Sequence, residues 1–174
     1  MARPSFKFAL DYYKDRKDLV VVEVGVNRGG NAIQMFDKLS PQLKTMYLVD
    51  PYNLEDGEEI KHDMLMRLGP KNRAKFIDAT SVEAALLMES VGITFDYVYI
   101  DGDHSYDMVM LDLIMWYPLV KKGGILAGHD WSIATVRIAV EDFFKMDNRP
   151  SHCSLQTVLP NEVNFEDWWV VKNV

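Results

Sequence analysis

Hydrophobic positions along the chain fall into short runs separated by helical patterns. The run Val20–Val24, which Gly25 ends, is rich in β-branched residues and is typical of a strand buried on both faces of a parallel sheet. Comparable runs predict four more strands, at residues 46–49, 75–77, 95–100 and 124–127. Because strands and helices alternate in this way, the sequence predicts a doubly wound α/β fold.

The predicted helices have recognisable ends or faces. Asn31 is placed to cap a helix over residues 32–39, and Ser40–Pro41 ends that helix. Further helical patterns lie at residues 55–68, 108–117 and 133–144. The C-terminal segment adds two strand-like runs, at residues 154–159 and 168–171, which we expect to form a closing hairpin.

The composition indicates one globular domain. The 174 residues are 48% hydrophobic and 26% charged, and no repeat or Pro/Gly-rich linker divides them, so we expect a single domain over residues 1–174. The lone Cys153 allows no intrachain disulfide and suits a reducing compartment. No apolar segment has signal-peptide or membrane-spanning length, so we expect a cytoplasmic protein with no membrane partner.

The charge balance narrows the class of substrate. The net charge is −7 at pH 7, and the isoelectric point lies near 5.0. Non-specific affinity for nucleic acid comes largely from lysine and arginine side chains that displace counterions. We therefore expect a small-molecule partner rather than a nucleic acid.

The first candidate site is the segment E-V-G-V-N-R-G-G at residues 23–30, directly after the first predicted strand. Glycines there let a ligand approach the backbone, and ligands of open parallel sheets bind beyond the carboxyl ends of the strands. The spacing differs from G-x-G-x-x-G, which disfavours NAD or FAD. Asp50 ends the second strand, where an acid can accept hydrogen bonds from ribose hydroxyls. A ligand-free tight turn is the structural alternative, but the conjunction favours a nucleoside site.

Two further segments end predicted strands at the same edge of the sheet: Y-I-D-G-D-H-S-Y at residues 99–106, and A-G-H-D-W at residues 127–131. Their carboxylates can hold a hard cation, and a histidine can take a proton from a hydroxyl group. The structural alternative is that Asp101 and Asp130 cap the helices that follow.

The strings I-D-G-D-H-S-Y at residues 100–106 and G-G-I-L-A-G-H-D at residues 123–130 resemble one group of class I S-adenosyl-L-methionine (SAM) dependent methyltransferases, the methyltransferase 24 type. The resemblance runs from about Leu19 to Trp131. It implies a Rossmann-like, mostly parallel seven-stranded sheet with a C-terminal antiparallel strand, and SAM as the cofactor.

The resemblance also assigns cofactor contacts by position. Similar enzymes bind SAM with residues that correspond here to Glu23, Gly25 and Gly29 for the methionine part, Asp50 for the ribose, Thr80 and Ser81 around the adenine, and Asp101 at the sulfonium, with Asn31 and Gly102 beside them. The family often has an acid at the position of Thr80, so adenine recognition here would depend more on backbone and hydroxyl groups.

Similar sugar and catechol O-methyltransferases hold magnesium with an acid at the Asp101 position and a pair aligned with His129 and Asp130. Imidazole is an unusual ligand for Mg²⁺, so the resemblance leaves a Mg²⁺ requirement open. Macrolide-sugar enzymes also use a histidine that matches His104.

The resemblance therefore implies methyl transfer to a hydroxyl of a small molecule, a sugar or glycan precursor. His104 is expected to be the general base, and Asp101 is expected to act with it. A non-catalytic SAM-binding module and a nucleotide-dependent oxidoreductase are the alternative functions. The sequence also leaves a homodimer open.

Overall fold

The computed structural model describes residues 3–53, 56–68, 73–146, 156–157 and 167–173. In chain order its elements are α1 (Pro4–Tyr12), β1 (Leu19–Val24), α2 (Gly30–Leu39), β2 (Leu43–Asp50), α3 (Gly57–Leu68), β3 (Ala74–Asp78), α4 (Ser81–Ser90), β4 (Phe95–Ile100), α5 (Tyr106–Trp116), β5 (Val120–Gly128), α6 (Ala134–Lys145), β6 (Gln156–Thr157) and β7 (Trp168–Val171). None of the helices in these ranges is long and apolar enough to cross a membrane.

The strands form one mixed sheet in the order β3-β2-β1-β4-β5-β7-β6. Strands β1 to β5 pair in parallel, and β7 pairs antiparallel with β5. The predicted doubly wound sheet with an antiparallel C-terminal strand is therefore confirmed. The two residues of β6 pair antiparallel with β7, at the position of the predicted hairpin. Their neighbours lie outside the described residues, so a full seventh strand stays a prediction.

Hydrophobic side chains cover both faces of the sheet. Successive strand residues point to opposite faces, so Val22 packs with the cluster under α4, α5 and α6, whereas Val21 packs with the cluster under α1, α2 and α3. Full burial of one such side chain stabilises the fold by roughly 1.5–3 kcal/mol. Burial on both faces therefore explains why the residues of β1 are nearly all apolar.

The structure contains two helices, α1 and α4, that the hydrophobic pattern did not predict. Helix α4 exposes Leu86 and Leu87 while it buries Ala84, Ala85 and Met88, so its apolar positions show no single face. A capping box between Thr80 and Glu83 starts this helix. Helix α1 starts with Pro4, a favoured residue at the first helical position.

The predicted cap of α2 is wrong. The helix begins at Gly30, and its N-cap is Gly29, which has a left-handed backbone with φ of 71°. The Asn31 side chain instead donates a hydrogen bond to Oε1 of Glu23 over 3.0 Å. Because the helix starts at Gly30, Asn31 lies within its first turn and is not the N-cap residue, and its side-chain NH₂ group donates to Glu23 instead.

Candidate functional site

A cavity of about 480 Å³ lies at the carboxyl ends of β1, β2 and β4. We call it the main cavity; its volume falls within the range of small-molecule sites, about 300–1,000 Å³. The predicted residues that line it are Glu23, Gly25, Asn31, Asp50, Asp101 and Gly102, together with His104. The structure therefore brings most of the predicted site together.

A second cavity of about 280 Å³ adjoins the first. The two share Gly25, Asn27, Asp50 and Gly102 as lining residues, so they form one cleft along the edge of the sheet. The adjoining cavity is less charged, and Tyr52 and Ile60 contribute apolar surface to it. The cleft thus has a charged half and a more apolar half.

The glycines of the loop after β1 have different structural reasons. Gly25 has φ of 83°, and a Cβ there would lie 2.2 Å from the carbonyl oxygen of Asp101. Gly29 has φ of 71°, and a Cβ there would lie 2.5 Å from the sulfur of Met64 on α3. Gly25 therefore allows β1 and β4 to meet at the main cavity, whereas Gly29 allows α3 to pack on the loop. A contact of Gly29 with the cofactor stays a prediction.

Asp50 organises the loop after β1. One carboxylate oxygen accepts hydrogen bonds from the backbone N–H groups of Val26 and Asn27, over 3.0 and 2.8 Å. The other oxygen accepts from the N–H of Tyr52 over 2.9 Å. These bonds hold Asn27 and Tyr52 in left-handed conformations, with φ of 48° and 45°. The position at the shared wall of both cavities suits ribose recognition, which stays a prediction.

Glu23 is the most unusual group of the main cavity. Its side chain is 1% exposed, and its Oε2 atom has no hydrogen-bond partner within the described part of the chain. Burial raises the pKa of this carboxyl to about 8, against the opposing hydrogen bond from Asn31. A buried acceptor beside a cavity is costly unless a ligand pairs with it. Glu23 therefore suits a cationic ligand group.

Asp130 connects two histidines next to this cavity. His104 Nε2 lies 2.8 Å from one carboxylate oxygen of Asp130, and His129 Nδ1 lies 2.9 Å from the other. The same His129 nitrogen is 3.6 Å from Asp101. Asp130 itself has a left-handed backbone, with φ of 59°. Such a backbone in a non-glycine residue is found often at functional sites.

The alternative role of these acids as helix caps is wrong. The N-cap of α5 is Ser105, and the N-cap of α6 is Ile133. Asp101 instead faces the main cavity, where burial raises the pKa of its carboxyl, against the nearby charges of Arg3 and His129. Burial also acts on Asp130, but the hydrogen bond from His129 and the nearby His104 lower the pKa of its carboxyl overall.

A metal ion at this cluster would have two carboxylates and one imidazole as ligands. Ligand atoms of Asp101, His104 and Asp130 all lie within 4.8 Å of one another. The sequence prediction instead named His129 with the two acids; its Nδ1 atom is hydrogen-bonded to Asp130. Mg²⁺ prefers oxygen ligands in an octahedral arrangement, whereas imidazole suits Zn²⁺, Fe²⁺ and related ions. The set therefore does not fit Mg²⁺ as a resident cofactor.

Thr80 and Ser81 have protein partners instead of an open position in the cleft. Neither lines the main or the adjoining cavity as the described residues form them. The Thr80 hydroxyl donates to Glu83 over 2.7 Å within the capping box. The Ser81 hydroxyl bonds Asp112 and accepts from Nε1 of Trp116 over 2.8 Å. Their predicted place around the adenine stays a prediction.

Two functional candidates are missing from the sequence prediction. Arg3 lines the main cavity, and its Nη2 atom lies 3.1 Å from Asp101. Asp167 is fully buried and accepts hydrogen bonds from Ser5 and Tyr99. An arginine near the N-terminus carries no sequence signal of this role. For Asp167 the signal was a carboxylate placed directly before the apolar run of β7.

The sequence matches a known family over most of the site. Residues 22–131 match the family model of the methyltransferase 24 type, a methyltransferase domain. The matched segment begins within β1 and ends directly after Asp130. It therefore contains Glu23, Asp101 and both histidines of the cluster.

One curated relative is an uncharacterized protein of Acanthamoeba polyphaga mimivirus. It is 27% identical over 120 residues, which cover 67% of this chain and 53% of that protein. The match thus spans about half the length of the relative.

Solved structures share the fold at low sequence identity. An O-methyltransferase from Bacillus cereus in complex with S-adenosylhomocysteine (SAH) is 14% identical, with a TM-score of 0.74, over 99% of this chain and 82% of that chain. An rRNA methylase from Streptococcus thermophilus is 17% identical, with a TM-score of 0.66, over 98% of this chain and 96% of that chain.

Proposed function

The chain belongs to the methyltransferase 24 family of methyltransferase domains, and from this premise we propose that it transfers the methyl group of SAM to a hydroxyl of a small molecule, a sugar or glycan precursor. The observation that carries the proposal is the buried Glu23 oxygen in the main cavity, which has no hydrogen-bond partner among the described residues. SAM carries an ammonium and a sulfonium group, and an ammonium is the kind of partner that this carboxylate lacks.

The two halves of the cleft correspond to the two halves of the cofactor. Glu23 and Asp101 in the main cavity suit the charged methionine part, whereas Tyr52 and Ile60 in the adjoining cavity suit the adenosine. Asp50 lies where the halves meet, the position that the ribose would take. When bound, SAM supplies an activated methyl group, so the protein needs mainly to align the acceptor and exclude water.

His104 is the proposed general base. Its half-exposed imidazole lines the main cavity, and its Nε2 atom pairs with Asp130 over 2.8 Å. If Nε2 carries the proton of this pair, Nδ1 is left to take the proton of the acceptor hydroxyl. Asp130 is then a positioning residue, and His129 holds it from the other side. A nucleophile activated by an oriented base is the general pattern of such sites.

No step of this mechanism uses a metal ion. Because the donor set does not fit Mg²⁺, we assign the proton to His104 rather than to a metal-bound hydroxyl.

The charge around the site bears on the class of acceptor. Nucleic acid is one alternative, since the fold is shared with an rRNA methylase. The net charge of −7 and the three carboxylates of Asp50, Asp101 and Asp130 around the site would repel phosphate groups. These charges favour a neutral hydroxyl compound as acceptor.

Calorimetric titration with SAM and SAH tests the cofactor first. We expect saturable binding of one ligand per chain, and an absence of binding to both ligands would overturn the proposal. Incubation with labelled SAM and a panel of sugars, phenols and RNA then tests the acceptor. Transfer to a sugar hydroxyl supports the proposal, transfer to RNA alone would contradict it, and SAM binding without transfer to any acceptor would favour the non-catalytic module.

A further inference from the structure

Arg3 lies in the N-terminal segment, and it lines the main cavity. Its side chain is 18% exposed and lies 3.1 Å from Asp101 through Nη2. The guanidinium carbon lies 5.5 Å from the centre of the Tyr99 ring. Glu23 and Asp101 line the same cavity. A cationic donor and two acidic acceptors thus face one space.

The position of Arg3 depends on a residue from the other end of the chain. Arg3 is the N-cap of α1 and makes no side-chain cap. Asp167 supplies the cap in its place: one carboxylate oxygen accepts from the backbone N–H and the hydroxyl of Ser5, over 3.0 and 2.6 Å. Its other oxygen accepts from the Tyr99 hydroxyl over 3.1 Å and lies 3.9 Å from the Arg3 guanidinium. Asp167 therefore fixes the start of α1, and with it Arg3, against β4.

Ion pairs alone explain this arrangement incompletely. A charge-balancing arginine would account for Asp101 and Asp167, but it leaves the buried oxygen of Glu23 without a partner among the described residues. A ligand that brings a cation to Glu23 and an anion towards Arg3 would pair with the Glu23 oxygen and with the positive charge at the opposite wall of the cavity. An α-amino acid head group has these two charges on one carbon.

We propose that Arg3 binds the carboxylate of the methionine part of the cofactor while Glu23 accepts its ammonium group, and that Asp167 is the positioning residue for Arg3. This inference rests on the proposed binding of SAM. It assigns recognition of the amino-acid head to a residue outside the matched segment 22–131. Guanidinium and carboxylate groups form charge-assisted hydrogen bonds, which are among the strongest in proteins.

The test compares two ligands that differ in the amino-acid head. SAH has the head group, whereas 5′-methylthioadenosine has the same nucleoside and no amino acid. We expect Arg3→Met to weaken SAH binding by about 10- to 100-fold, the usual effect of losing a hydrogen bond to a charged group. Binding of 5′-methylthioadenosine should stay within about twofold of the original protein, since Arg3 does not reach the nucleoside in this assignment.

Matched variants separate recognition from folding. Lys7→Met removes a positive charge from the exposed side of the same helix, and it should leave the affinity for both ligands unchanged. Asp167→Asn should weaken SAH binding and leave 5′-methylthioadenosine binding unchanged, because it loosens Arg3 without touching the ligand.

The outcomes distinguish this inference from the proposed function. If the original protein binds neither ligand, the proposed function fails. If Arg3→Met binds SAH as the original protein does, the role of Arg3 is wrong while SAM binding stands. If Arg3→Met loses affinity for SAH and for 5′-methylthioadenosine equally, Arg3 has a structural role, and this result would also overturn the inference.

Discussion

The imidazole of His104 and the carboxylate of Asp130 form a pair at the cavity, with 2.8 Å between Nε2 and Oδ2. These residues lie in the loops that follow two neighbouring strands, β4 and β5, which pair in parallel. Because parallel strands end at the same edge of the sheet, residues 26 positions apart in sequence become neighbours there. The parallel pairing of β4 and β5 therefore explains why an imidazole and a carboxylate meet at the cavity.

Replacing His104 by alanine should lower turnover by about 100- to 10,000-fold, the usual contribution of a general base. The affinity for SAH should change by less than about threefold, because the imidazole acts on the acceptor and not on the cofactor. Steady-state kinetics with an accepted hydroxyl substrate and calorimetry with SAH measure the two quantities. His62→Ala is the control, since His62 is exposed on α3. Equal turnover of the two variants would show that His104 is not the base.

The sequence predicted the central part of the site because the fold itself determines it. Strands buried on both faces need continuous apolar runs, so Val20–Val24 could be recognised, and polar residues that follow such strands must lie at the ligand edge. Glu23 is the exception within that run. Its charge marks a function, but its unpartnered oxygen depends on where the Asn31 amide lies.

Other parts of the site depend on partners that the sequence prediction did not include. Arg3 and Asp101 are 98 positions apart, and the pairing requires α1 to pack on the sheet. Gly29 resembles a cofactor-binding glycine in sequence, yet the structure explains it by the proximity of Met64. Thr80 resembles an adenine contact, yet its hydroxyl belongs to a capping box. Each of these residues thus has a partner that the sequence prediction did not include, and the cofactor contacts of Gly29 and Thr80 stay predictions.

Replacing Gly25 by alanine should destabilise the protein, whereas replacing Gly30 should not. A Cβ at Gly25 would overlap the carbonyl of Asp101 at 2.2 Å, and the backbone there is left-handed; a Cβ at Gly30 meets nothing within 4 Å. We expect a loss of about 2–4 kcal/mol in the free energy of unfolding for Gly25→Ala. Urea denaturation of both variants measures the difference. Similar stability of the two would contradict the close approach of β1 and β4.

The affinity for SAH should rise with pH between 6 and 7.5. Glu23 has a pKa raised to about 8 by burial, so in the free protein its carboxyl is mostly protonated in this range, and a ligand ammonium binds the ionised form. Each pH unit below 8 therefore weakens binding by up to about tenfold. Calorimetry in buffers of different ionisation enthalpy should also detect proton release on binding. Glu23→Gln should bind SAH weakly and without this pH dependence; a dependence retained in that variant would assign it to another group.

Replacing Glu23 by glutamine should stabilise the ligand-free protein, and the gain in stability should grow as the pH rises. The folded pKa of Glu23, about 8, lies above the ordinary value of 4.5, so between these values the folded state holds a proton that the unfolded state has lost. The free energy of unfolding of the original protein therefore falls as the pH rises from about 4.5 to 8, whereas Glu23→Gln lacks this contribution. The difference between the two proteins should grow by about 1 kcal/mol per pH unit. Urea denaturation at pH 5.5, 6.5 and 7.5 measures it, and parallel stability curves would show that the buried carboxyl is not held protonated by the fold.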